Sequence, residues 1–128
     1  MKLMVVAPMY WLDAQMAQER AWLYLASLEK SGVPEVLRKT YGIGCQQYQG
    51  ETVMRITGLL EFLKEHTGDF THILFTDAWD VLFIKPFGEI IKTYKAMGSP
   101  RFLHAAAMQR GNIHTDEFDE LFPPVTPF

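Results

Sequence analysis

Cysteine is almost absent: Cys45 is the only one, which excludes an intrachain disulfide and a cysteine-rich zinc site. The chain therefore suits a reducing compartment, and the cytoplasm is the expected location. Basic charge is not in excess either. Twelve lysines and arginines against 15 aspartates and glutamates give a net charge of −3, without the basic face that nucleic acid requires. No apolar run reaches the ~18 residues that span a bilayer, so no membrane span is expected. The apolar start from Leu3 to Leu12 imitates the core of a secretory signal, but Asp13 interrupts it and no small-residue cleavage site follows. Gly42 and Gly44 lack the third glycine of a dinucleotide fingerprint. His66, His72, His104 and His114 lack the i, i+4 spacing of a helical zinc pair and read as surface or packing residues. There is no internal repeat and no low-complexity linker.

What is present is apolar residues, 48% of 128, enough for one globular domain covering residues 1–128 with a single core. Leu3-Met-Val-Val-Ala-Pro8 is a continuous apolar run closed by proline, the pattern of a strand buried on both faces. Asp13 is placed to cap a helix whose inner face carries Ala14, Ala17, Ala21, Leu25 and Leu28, ended by Gly32 and Pro34. Val36–Tyr41 reads as a second strand, followed by a glycine- and glutamine-rich loop to Gly50. A helix over Glu51–His66 is expected to bury Val53, Ile56, Leu60 and Leu63. His72–Thr76 is a third strand, and Pro86 opens a helix with Phe87, Ile90, Ile91, Tyr94 and Met97 inward, stopped by Gly98 and Pro100. Residues 101–107 return to strand character, and 108–128 read as an irregular, partly acidic surface segment. Strands alternating with helices predict a mainly parallel sheet with helices on its faces.

The third strand ends in Thr76-Asp77-Ala78-Trp79-Asp80. In open parallel sheets ligands gather outside the carboxyl ends of strands, which is where Asp77 falls. A carboxylate next to Ile73-Leu74-Phe75 needs a compensating charge. Magnesium or manganese would supply it, since both take one or two carboxylates and leave positions for water and a diphosphate. The plain alternative is structural: Asp80 capping a turn, and Asp77 paired with Arg55, Lys85 or a helix N-terminus. On these residues alone the two roles stand level.

The run Ile73-Leu-Phe-Thr-Asp77-Ala-Trp-Asp80-Val-Leu-Phe83 resembles the glycosyltransferase domain of the procollagen lysyl hydroxylases and related collagen-type glycosyltransferases. The opening strand Leu3–Ala7, the loop Tyr48–Gly50 before a helix bearing Arg55, and the strand Phe102–Ala107 fall in matching order. The resemblance implies a three-layer, Rossmann-like fold of GT-A type that binds a uridine-diphosphate sugar, with Mn2+ (or Mg2+) held by Asp77 and Asp80. It implies that Ala7 and Pro8 face the nucleotide base, that Arg55 faces the diphosphate, and that Trp79, chiefly a packing residue, is placed to reach the ribose or base. For Arg55 a plain solvated helix charge is an equal alternative.

The chain departs from that family at Ala105-Ala-Ala-Met-Gln109, where acidic residues are usual. The family's further strands, with another metal ligand and the acceptor site, would follow Phe128, so the expectation is an incomplete, N-terminal half of the domain. Three functions follow: transfer of a sugar from a uridine-diphosphate donor to a hydroxyl acceptor, non-catalytic binding of the nucleotide sugar, or metal-dependent phosphoester hydrolysis with Asp77 as nucleophile. The last needs an acid two residues on, where Trp79 stands. An incomplete sheet would also expose an edge suited to self-association.

Overall fold

The computed structural model describes residues 1–45 and 51–103. Among these residues the chain is α/β, with a small parallel sheet of three strands and helices packed on it. It divides into two compact units, Met1–Thr93 and the part from Tyr94 onward.

The central strand β1 spans Leu3–Trp11, and its residues from Leu3 to Tyr10 are all buried, as the continuous apolar run predicts. Pro8 does not close it. The Val6 carbonyl accepts from Thr76 N (3.0 Å), so the polar groups of alternate residues face the third strand, which has ended at Phe75 by the level of Pro8. The missing proline N–H therefore costs no ladder bond.

Asp13 caps α1 (Ala14–Arg20) by accepting from Gln15 N (2.8 Å) and Met16 N (3.2 Å). The single helix expected here is two, because Ala21 leaves helical geometry before α2 (Trp22–Lys30). Hydrogen bonds still run through the bend, from Ala21 N to Ala17 O and from Leu25 N to Ala21 O. The inward face is Ala17, Ala21, Tyr24 and Leu28, with Ala14 exposed. A Schellman motif ends α2: Val33 N bonds Leu28 O, Gly32 N bonds Glu29 O, and Gly32 takes φ +77°. Val33 and Leu28, each 1% exposed, make the apolar contact that accompanies it.

A 3-10 turn at Glu35–Leu37 replaces the expected start of the second strand, so β2 covers Arg38–Ile43. Strand β3 is His72–Phe75, and β1 pairs in parallel with both neighbours in the order β2-β1-β3. Helix α3 spans Glu51–Glu65 and α4 spans Phe87–Ala96. Arg101, Phe102 and Leu103 are not in a strand, and the remainder of the expected fourth strand and the 108–128 segment lie outside the described residues.

Alternation along β1 sends Leu3, Val5, Ala7 and Met9 into one cluster with Ala17, Tyr24, Leu28, Ala78 and Phe87. Met4 and Val6 point the other way, against Phe62 with Leu59 and Leu63 of α3. The expected inner stripe of α3 is corrected here: Val53, Ile56 and Leu60 are 62%, 66% and 53% exposed, while Phe62 is buried. Two tyrosines explain the rotation. The Tyr10 hydroxyl donates to Met54 O (2.6 Å) and the Tyr41 hydroxyl to Arg55 O (2.5 Å), and Gly58 sits against the Tyr10 hydroxyl and the Tyr41 ring. Polar docking of these two side chains selects the Met54–Gly58–Phe62 face, which hydrophobic periodicity does not weigh. On α4, Phe87 is buried and Ile90, Ile91 and Tyr94 are half-buried, but Met97 is exposed.

Candidate functional site

The residues after β3 are pinned by alternation carried past the end of the strand. Thr76 N bonds Val6 O, and the Thr76 hydroxyl meets the hydroxyl of buried Tyr24 at 3.0 Å. Burial pushes the Tyr24 hydroxyl above its ordinary pKa, and the Thr76 hydrogen bond partly offsets this. Ala78 is 1% exposed and lies in the same core cluster. Thr76 and Ala78 thus anchor the segment inward, and Asp77 between them is left partly exposed.

Asp77 forms an ion pair with Arg55 of α3. The two side chains are 41% and 32% exposed, so water screens the pair and its expected worth is at most about 1 kcal/mol. Arg55 is held at its main chain by the Tyr41 hydroxyl, whose pKa is pushed up to about 12, first by burial and then by Tyr10, with Arg55 opposing. Tyr10 and Tyr41 meet edge to face at 5.8 Å.

Asp80 is exposed, and among the described residues it has no hydrogen-bonding or ionic partner. Trp79, 38% exposed, packs edge-to-face on Trp11 at 6.3 Å, and the Arg20 guanidinium lies 4.3 Å above the Trp11 ring. The far end of the loop is docked on α2: Phe83 N donates to the Ser27 hydroxyl (2.9 Å) and Phe87 N to Ser31 O (2.8 Å).

Of the residues singled out in the sequence, the fold brings Arg55 and Asp77 into contact. Ala7 is 0% exposed with its side chain in the core, and Pro8 is buried within β1, which runs on to Trp11. Both residues nevertheless run beside the exit of β3, because Val6 is paired with Phe75. Sequence reasoning missed Tyr10, Tyr41, Trp11 and Arg20. Gly42 clears space for the Tyr10 ring and Gly58 for the Tyr41 ring, but these residues are too far apart along the chain to leave a local signal, save for the adjacent Tyr41 and Gly42.

Asp77 and Asp80 are hard oxygen donors of the kind magnesium and manganese accept, and two carboxylates is the usual number. Among the described residues no cluster of three or more histidine, cysteine, aspartate or glutamate side chains is present. A shallow apolar depression of about 250 Å³ beside β3, lined by Leu74, Val81, Ile84 and Ile90 among others, contains neither Asp77 nor Arg55. No helix among the described residues is long and apolar enough to cross a membrane. No family model, curated protein or solved structure matches this chain.

Proposed function

We propose that this chain is a metal-dependent domain of glycosyltransferase type, Rossmann-like and of the GT-A kind, which binds a uridine-diphosphate sugar for transfer to a hydroxyl acceptor. The observation that carries the reading is the meeting of Arg55 and Asp77 at the carboxyl end of β3. It supports the reading because a diphosphate bridged by a divalent cation needs a carboxylate for the cation and a guanidinium for the phosphate oxygens within reach of each other. The resemblance around Asp77 and Asp80 supplies the sugar-nucleotide class.

In this reading Asp77 and Asp80 hold Mn2+ or Mg2+, which supplies Lewis-acid stabilisation of the leaving diphosphate. Arg55 binds a diphosphate oxygen, fixed in place by the Tyr41 hydrogen bond to its carbonyl. The resemblance assigns Ala7 and Pro8 to the side of the base, and Trp79, braced by Trp11, borders the ribose. Phe75, Leu82 and Ile84, 41%, 52% and 86% exposed along β3 and the loop after it, support self-association through this edge.

A second reading is favoured by the same contact: Arg55 and Asp77 neutralise each other and simply tie α3 to the exit of β3. The deciding experiment follows release of uridine diphosphate from a panel of uridine-diphosphate sugars with Mn2+, alongside direct binding. Slow release lost in Asp77→Asn and Asp80→Asn is the expected result. Binding without turnover reduces the function to a non-catalytic module. Absence of binding leaves the structural tie, and hydrolysis of a simple phosphate ester dependent on Asp77 points to a phosphohydrolase.

A further inference from the structure

We infer that the Arg55–Asp77 ion pair is a latch that makes the cation and the diphosphate enter this site together. The inference rests on the reading above and concerns its regulation. The two groups assigned to different parts of the ligand are paired with each other in the fold. A cation approaching Asp77 alone must displace the guanidinium and meets its like charge. A diphosphate approaching Arg55 alone must displace the carboxylate and meets a negative charge. When both arrive, the Asp77 carboxylate turns to the cation and the Arg55 guanidinium to the phosphate oxygens, so each charge exchanges one partner for another. No partner is lost, and the two ligands are coupled through the same pair of side chains.

The surroundings suit a side-chain exchange without a change of fold. The Arg55 main chain is fixed by the Tyr41 hydroxyl at 2.5 Å, while its side chain is 32% exposed. Asp77 stands between two anchored residues, Thr76 on Tyr24 and buried Ala78, with its own side chain 41% exposed. Both partners thus have room to turn on a rigid base.

The test counts free Mn2+ by electron paramagnetic resonance, with no nucleotide present, against the wild type, Arg55→Gln and Arg55→Lys. The coupling predicts that Arg55→Gln binds Mn2+ alone more tightly than the wild type, by about threefold, the scale of a half-exposed ion pair. Arg55→Lys, which keeps the charge, stays near the wild type. In the same variants, binding of uridine diphosphate with Mn2+ weakens for Arg55→Gln. Unchanged or weaker Mn2+ binding in Arg55→Gln, with the wild type still taking up uridine diphosphate and Mn2+, overturns the latch and leaves the site reading intact. Failure of the wild type to bind uridine diphosphate with Mn2+ overturns the site reading itself. A readout on the wild type guards against a variant that fails to fold: saturating Mg2+ shifts the Arg55 side-chain N–H resonance, and an unmoved resonance in a protein that binds Mg2+ overturns the latch.

Discussion

At Arg55 the main chain and the side chain answer to different partners, the Tyr41 hydroxyl on one and the Asp77 carboxylate on the other. Replacing Tyr41 by Phe removes the hydroxyl while keeping the ring, and it is expected to lower unfolding stability by about 1 kcal/mol in denaturant titration. The alkaline limb gives a sharper check. Tyr41 titrates near 10 when unfolded and at about 12 when folded, so above pH 10 the unfolded chain releases its proton first. Stability is therefore full below pH 10 and falls as pH rises toward 12, and Tyr41→Phe reduces that slope. Gly58 belongs to the same contact. A Cβ there would meet the Tyr10 hydroxyl and lie 2.8 Å from the Tyr41 ring, so Gly58→Ala is expected to destabilise by about 1–3 kcal/mol although alanine favours helix. The Asp13 cap was legible in the sequence because a cap acts over three residues. The Tyr41–Arg55 contact was not, since it joins a strand to a helix through a loop whose path no local pattern states.

Helix α3 shows where periodicity stops being informative at the scale of elements. Its existence and limits follow from the sequence, and its orientation does not. The 3–4 spacing of Val53, Ile56 and Leu60 marks an apolar stripe, yet the opposite stripe carries the tyrosine hydrogen bonds, the glycine and Phe62. Thermal unfolding can separate the two faces. Ile56→Lys is expected to change stability by no more than about 0.5 kcal/mol, whereas Phe62→Ala costs about 3–5 kcal/mol. The reverse ranking would restore the periodic face. For β1, by contrast, a continuous apolar run marked both the location and the parallel pairing, because a strand covered on both sides has little freedom in composition; the shorter run of β3 marked its location although it is only half-buried. The division of the Asp13 helix at Ala21 left no mark in the sequence, since alanine is the best of helix formers.

On the scale of the whole molecule, β1 lies between the two outer strands, and the crossover from β2 to β3 carries α3 to the face opposite α1 and α2. Strand order reverses at β1, and the exit of β3 beside it is the address where open parallel sheets bind ligands. The address of Asp77 was readable from the end of an apolar run. Its partner was named among several candidates, and the fold selects Arg55. Ala7 and Pro8 were read as a strand end because proline usually closes strands; the early end of β3 is what admits Pro8 to the strand interior. The central claim is that this pair of side chains serves a cation and a diphosphate. Titration calorimetry of uridine diphosphate into the wild type and Asp77→Asn, each with Mn2+ and with chelator, tests it most directly. The account predicts saturable binding by the wild type with Mn2+, lost with chelator and in Asp77→Asn. Binding that is indifferent to Mn2+ and to Asp77, or no binding by the folded wild type, would contradict it.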